Sequence, residues 1–283
     1  MAQQQGIKRR IKSVSNTRQI TKAMQLVAAS KLRRAQDAAL GPKQYISAAR
    51  EVLASLAGTP EAQYHPLFQA RGDERVLTIA ITSDRGLAGA YNSNVNRAVT
   101  HHATDLGAKQ HSVIAIGNYA ARHVARIHEL DELSAYAMDT PDPDAGIAQP
   151  VLHEAIELFL AGKIDTVYMI YTKFISTVHQ EVVIEQLLPI QPLAGSTVSR
   201  TYEPEAEQLL DLAIRRLLEA QVLQAVLEAG ASEQASRMMA MKNATDNASD
   251  LIGDLTLAFN NARQAAITQE LAEITAGAEA ING

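Results

Sequence analysis

After Pro204 the chain contains no further proline, and a heptad apolar stripe runs on almost to its end. Such a stretch has one economical form, a single very long helix laid against a partner. Alternating steps of four and three from Ala206 pass through Leu210, Ala213, Leu217, Ala220, Gln224 and Leu227 and end at Ala262 and Ala266, and fifteen of the eighteen seam positions are apolar. At about 1.5 Å per residue the helix would reach roughly 110 Å, several times the diameter of a domain built from the remaining residues. It cannot bury its own stripe, so it needs another helix.

The N-terminus supplies one. Ile7, Ile11 and Val14, then Ile20, Met24, Ala28, Leu32, Ala35 and Ala39, recur mostly at spacings of three or four, with a slip between Val14 and Ile20 and no proline before Pro42. Two terminal helices flanking a central segment pair most simply antiparallel, because the segment between them folds as a unit and brings its own ends together. Charge agrees with the pairing. The first 36 residues carry nine basic side chains and no acid, whereas from Glu203 onward thirteen acids face five basic residues. Exposed pairs contribute only about 0.2 to 1 kcal/mol each, so charge sets preference more than stability. An acid-free, Arg- and Ser-containing start also matches an organellar transit peptide, but the periodicity continues to Ala39 with no small-residue cleavage region.

With 283 residues, 47% of them hydrophobic, the chain has material for a sizeable core beside the helices. No apolar run approaches the eighteen residues that span a bilayer. The absence of cysteine removes disulfides, thiol switching and thiolate metal ligands. No aromatic residue precedes Tyr45 in the basic segment and no nucleic-acid-binding motif occurs, so nucleic acid is not expected as a partner.

Gly41-Pro42 is expected to kink or interrupt the first helix, and the organisation reads as an N-terminal coiled-coil helix over 1–57, a linker over 58–74, a central α/β domain over 75–200 and the long helix over 201–283. In the middle, Val76–Thr82, Val113–Ile116, Val167–Tyr171 and, less cleanly, Val178–Leu188 read as strands. Helical stretches near 94–106, 119–127 and 146–160 lie between them, which predicts a Rossmann-like α/β domain with a largely parallel sheet. The loop Ser83-Asp84-Arg85-Gly86-Leu87-Ala88-Gly89-Ala90-Tyr91-Asn92 is the most motif-like stretch there. Glycines at a strand-to-helix turn can bring backbone amides to a phosphate, but this loop forms neither GxGxxG nor a P-loop. A tight turn with close helix packing is the better reading.

Catalytic chemistry is not evident. The eight histidines (65, 101, 102, 111, 123, 128, 153 and 179) make no metal-ligand spacing, no GxSxG occurs, and the carboxylates of the last helix read as a solvated face. No catalytic, cofactor-binding or metal-binding residue is assigned, and no cofactor is expected.

Three stretches together resemble the gamma-subunit family of rotary F-type ATP synthases: Gly6–Ala35 (GIKRRIKSVSNTRQITKAMQLVAASKLRRA), Ser83–Asn92 (SDRGLAGAYN) and Ser232–Ile274 (SEQASRMMAMKNATDNASDLIGDLTLAFNNARQAAITQELAEI). The loop departs from the family in reading Gly-Leu-Ala-Gly-Ala-Tyr-Asn, where Cys and a second Gly are common. The resemblance implies an antiparallel coiled coil standing in a ring of three alpha and three beta subunits, one copy per complex, with the α/β domain as a foot near epsilon and the c-ring. It implies a non-catalytic rotor shaft that couples proton or sodium flow to the cycling of the beta subunits, peripheral to the cytoplasmic face of a bacterial plasma membrane and held there only through the complex. It further implies that Met24 faces the beta lever, with Arg237, Gln264, Thr268 and Glu270 as counterparts on the long helix, and that Tyr202 and Glu203 face epsilon or the c-ring. Seam packing for Met24 and solvated positions for the others are the readings without the family. A basic coiled-coil scaffold docking on an anionic surface is the alternative function.

Overall fold

The computed structural model describes residues 2–56, 64–138, 146–191 and 206–282. In order they form α1 (Ala2–Leu56), a short 3-10 turn (Pro66–Phe68), β1 (Arg75–Ile81), α2 (Tyr91–Leu106), β2 (Gln110–Ile116), α3 (Asn118–Val124), β3 (Asp131–Tyr136), α4 (Ala148–Leu160), β4 (Thr166–Phe174), β5 (Gln180–Leu188) and α5 (Ala206–Asn282). The chain divides into two compact units, residues 1–27 with 238–283, and residues 28–237.

The larger unit is built on one five-stranded sheet in the order β3-β2-β1-β4-β5. β1 pairs parallel with β2 and β4, and β2 with β3, while β5 returns antiparallel along β4. Period-two alternation sends Leu77, Ile79 and Ile81 of β1 to one face, where α4 (Val151, Ala155, Phe159) and the first part of α5 (Leu210, Ile214, Leu217, Val222) cover them. Ala80, Val113, Ala115 and Ile170 point to the other face, under Val95 and Val99 of α2 and Ala120 and Val124 of α3. The long helix thus serves as one layer of the domain. β3 is absent from the sequence reading because Asp131, Glu132 and Leu133 are exposed, and an edge strand of that kind carries no apolar run.

Two expectations for α1 change. The helix passes through Gly41-Pro42 without ending, since Pro42 forgoes only one backbone bond and lies between buried Ala39 and the core-packed Ile46 and Ala49. The seam also does not slip to Ile20, which is 61% exposed. In the smaller unit it runs through residues 4, 7, 11, 14, 18, 21 and 25, an unbroken heptad whose members Arg18 and Thr21 an apolar-only reading passes over. On α5 the expected seam holds. Met241, Thr245 and Ala248 are buried and Ile252, Leu255, Phe259, Ala262 and Ala266 are half-buried, while nearly every residue between them is exposed.

His111 on β2 is buried, with Nε2 2.8 Å from Thr78 Oγ1 of β1 and its ring edge-on to His102 of α2 at 6.2 Å. Burial, aided by the neighbouring His102, lowers its pKa to about 4. Asp73 and Asp105 act on His102 in the opposite sense, but burial still lowers it, and Tyr168 packs on its ring at 4.6 Å. A histidine whose folded pKa lies below its unfolded one contributes stability that is present above about pH 6.5 and lost as the pH falls toward 4, because only the unfolded chain takes up the proton. The loss attributable to His111 is about 3 kcal/mol, at about 1.4 kcal/mol per pH unit. Urea midpoints of the chain measured from pH 7 to pH 4 should therefore fall steeply, and His111→Gln, which retains a polar end toward Thr78, should flatten the curve. An unchanged pH slope in that variant would show that the acid sensitivity lies elsewhere.

Candidate functional site

In open α/β sheets ligands bind where the strand order reverses, outside the carboxyl ends of the strands. Here that point lies between β1 and β4, because β1 leads outward to β2 and β3 on one side and pairs with β4 on the other. The glycine loop leaves β1 at that place. Its entry is fixed by side chains, with Asn92 Oδ1 accepting from Ser83 N at 3.0 Å, Asn92 Nδ2 donating to Ser83 Oγ at 2.8 Å, and Ser83 Oγ donating to Arg85 O at 2.8 Å. Asp84 accepts from the backbone N–H of Asn118 at 2.8 Å and of Met138 at 2.6 Å, so both carboxylate oxygens tie neighbouring loops to this one. Leu87 and Gly89 adopt positive φ (62° and 58°), and a β-carbon on Gly86 would lie 2.7 Å from Tyr119 Oη. The glycines serve a tight turn and a close packing contact.

The crevice is filled by the chain itself. α5 crosses the carboxyl ends of the strands, where Ser232 Oγ donates to Thr172 O of β4 at 2.9 Å and Ser236 Oγ to Gln180 Oε1 at 3.3 Å. One turn on, Arg237 Nη2 donates to Glu233 Oε1 at 2.5 Å and to the carbonyl oxygens of Arg85 and Gly86 at 3.3 and 3.2 Å. Both side chains of this pair are nearly buried, at 11% and 12% exposure. Burial raises the Glu233 carboxyl above its ordinary pKa, and the Arg237 charge and hydrogen bond oppose that rise. Among the described residues Tyr91 Oη, buried beside the pair, has no hydrogen-bond partner. A phosphate placed here would meet a helix and a carboxylate. Among the described residues no group of three or more His, Cys, Asp or Glu side chains is placed to hold a metal ion.

Arg237→Met should therefore destabilise the larger unit by about 2 to 4 kcal/mol, because it leaves the Glu233 carboxylate buried without its counter-charge and releases two loop carbonyls. Adding Glu233→Gln should recover part of the loss. Urea unfolding, together with tryptic cleavage after the exposed Arg85, reads both effects, and equal stability of the single and double variants would remove the ion pair from the account.

In the smaller unit the two helices pair antiparallel. Thr21 Oγ1 lies 2.8 Å from Thr245 Oγ1 in the buried seam, and Gln4 Nε2 donates to Ala262 O at 3.1 Å. The residue numbers add to 266 in both contacts, so one register holds over the segment. That register puts Ile7 level with Phe259, Ile11 with Leu255 and Val14 with Ile252. It also puts Ala2 level with Gln264, so Thr268 and Glu270 lie beyond the described residues of α1. Met24 is half-buried and level with Lys242, about 33 Å along the axis from Gln264 at the usual helical rise. Met24 and the group of Gln264, Thr268 and Glu270 are therefore not brought together within the chain. Gln264, Thr268 and Glu270 are exposed, and Thr268 Oγ1 donates to Gln264 O at 3.0 Å. Tyr202 and Glu203 lie outside the described residues.

Large apolar side chains also stand outside the seam. Ile20 and Val27 flank Met24 at helical spacing on the outer side of α1, and Leu257, Ile267, Leu271 and Ile274 are exposed on α5, Ile274 at 68%. The sequence reading missed Glu233 as the in-chain partner of Arg237, although their separation of four residues on a helix was there to be seen.

A family model described as ATP synthase matches residues 3–281. The ATP synthase gamma chain of Polynucleobacter asymbioticus is 42% identical over 293 residues, covering 99% of this chain and 100% of that protein. That of Trichlorobacter lovleyi is 41% identical over 290 residues, covering the whole of both. Among solved structures, a chain from the central stalk and c-ring of the Tetrahymena thermophila mitochondrial ATP synthase superposes with a TM-score of 0.64 at 26% identity, covering 80% of this chain and 99% of that one. A chain of the Euglena gracilis mitochondrial ATP synthase gives a TM-score of 0.69 over 99% of this chain and 95% of that one; at 18% identity it speaks for the fold alone.

Proposed function

Since this chain belongs to the ATP synthase gamma-chain family, we propose that it works as a non-catalytic rotor shaft, turned by a c-ring and driving the catalytic beta subunits through their states in sequence. As a gamma chain it is part of the central stalk of an ATP synthase, and no helix among its described residues is long and apolar enough to cross a membrane. Its place is then peripheral, on the cytoplasmic face of a bacterial plasma membrane, with alpha, beta and epsilon subunits and the c-ring as partners.

The observation that carries this reading is the coiled coil, which buries a regular seam and yet presents a second set of large apolar residues outward. Exposed apolar groups at helical spacing mark a surface meant to meet other protein. Small and Met contacts suit a shaft that must turn within its sleeve, and each beta state is favoured only by its differential contact free energy with the asymmetric coil. Met24, between Ile20 and Val27, takes the place facing the beta lever. Gln264, Thr268 and Glu270 meet the alpha and beta subunits farther along. Arg237 acts from the foot by holding the glycine loop in position, and Tyr202 and Glu203 face epsilon or the c-ring. The chain binds no cofactor of its own, in keeping with a switch-point crevice occupied by α5.

Purified alpha and beta subunits, mixed with and without the chain, test the proposal by native mass and ATPase activity. One copy with three alpha and three beta subunits, and activity that depends on its addition, is the expected result. Absence of a complex, with salt-sensitive binding of the chain to anionic vesicles instead, would replace the rotor with a surface scaffold.

A further inference from the structure

We propose that Thr21 and Thr245 form a register pin, the contact that fixes how α1 and α5 are threaded along each other in the smaller unit and prevents them from slipping when the coil carries torque. Their hydroxyl oxygens are 2.8 Å apart in a buried layer, Thr21 also lies 3.1 Å from Arg18 O, and Thr245 lies 2.8 Å from Met241 O. Each hydroxyl has one proton. One threonine donates across the interface while the other donates to its own helix and accepts, so both protons are used without water. The apolar layers toward the start of α1 do not supply the same selectivity. Ile7 and Ile11 face Phe259 and Leu255, and a slide by one heptad sets them against Ile252 and Ala248 or against Ala266 and Ala262, again apolar partners. Gln4 does not discriminate either, because a carbonyl recurs at every turn of α5. The same slide sets Thr21 against Ile252 in one direction, or Thr245 against Val14 in the other, and the cross-helix hydroxyl bond is lost. A polar layer inside an apolar seam is a known way to select register at some cost in stability.

The register assignment stands apart from the rotor reading; only its consequence for coupling rests on that reading. The chain has no cysteine, so introduced pairs report cleanly. In the full-length chain Gln4→Cys with Ala262→Cys reads the native register, while Gln4→Cys with Leu255→Cys or with Gln269→Cys reads slips of one heptad. With both threonines present, oxidation should cross-link the native pair on the order of tenfold faster than either slipped pair. Thr21→Val with Thr245→Val should bring the three rates within about twofold, and Thr21→Ser with Thr245→Ser, which keeps the hydroxyls, should restore the preference. If the valine pair does not fold, the alanine pair is read with the same cysteines. Undiminished native preference without the hydroxyls would overturn the pin. In the assembled ATP synthase the valine pair should also lower ATP-driven pumping relative to hydrolysis; slipped cross-links with an unchanged ratio would overturn the pin's part in carrying torque, leaving the rotor reading to the reconstitution experiment.

Discussion

Replacing Gly117 with alanine should destabilise the larger unit by about 4 kcal/mol, enough to leave most of the domain unfolded in moderate urea. Gly117 joins β2 to α3 with φ 94° and ψ 142°, a conformation that side chains with a β-carbon rarely adopt. The space is closed as well. A β-carbon would lie 2.5 Å from Thr82 O and 2.8 Å from Thr82 Oγ1, at the end of the central strand. Thr82 cannot yield, because its N–H bonds to Ile116 O at 2.8 Å and its hydroxyl accepts from Ala120 N at 2.8 Å. Backbone strain of about 1 to 3 kcal/mol and the displacement of β1 therefore add. Gly107 provides the control: it caps α2 at φ 57° with open space around it, and alanine there should cost only about 1 kcal/mol. Urea unfolding of the two variants decides the matter, and equal effects would show that the contact with Thr82 is relaxed at little cost.

Gly117 also shows where sequence reading stops. A single glycine after a strand is ordinary, whereas Gly86 and Gly89, two glycines in one loop, resemble a phosphate cradle. What lies across that loop is α5, whose residues 232–237 come from a segment about 150 positions away, as Arg237 and Gly86 are. Spacing within a loop cannot report what a distant helix lays across it. β1, β2 and β4 were legible for the opposite reason, since burial of an interior strand on both faces leaves a local apolar composition, whereas β3 and β5 lie at the two edges, where β3 keeps its charges and β5 alternates less cleanly.

The coil was legible on the α5 side, where nearly all seam residues are apolar. On α1 it was legible only in part. An apolar count moved the stripe onto Ile20, because Arg18 and Thr21 hold true seam positions while Ile20 faces outward. Ile20 is nevertheless informative for function. An apolar side chain that the fold does not bury on itself is available to a partner. The same holds for Leu257 and Ile274. Site residues of this kind could be placed only through family resemblance, since nothing in a solvated stretch such as Gln264 to Glu270 signals a role by itself.

Met24→Lys should uncouple the assembled enzyme, lowering the ratio of ATP-driven pumping to ATP hydrolysis about fivefold or more while leaving assembly intact. Met24 is half-buried, and its outward neighbours Ile20 and Val27 are 61% and 57% exposed, so a longer cationic side chain has room to extend without disturbing the seam. Assembly should survive for that reason. At the proposed interface an added ammonium pairs with beta carboxylates in one rotor position and must be released before the next, and a desolvated pair of that kind is worth on the order of 1 to 3 kcal/mol. Favouring one position by that amount shifts populations roughly five- to 150-fold. Met24→Leu keeps the apolar contact and should behave as the parent. Proton pumping into inverted vesicles and ATPase activity, measured on one preparation, give the ratio directly. A parallel fall in both would mean that the substitution weakens the enzyme as a whole and that Met24 has no part in coupling.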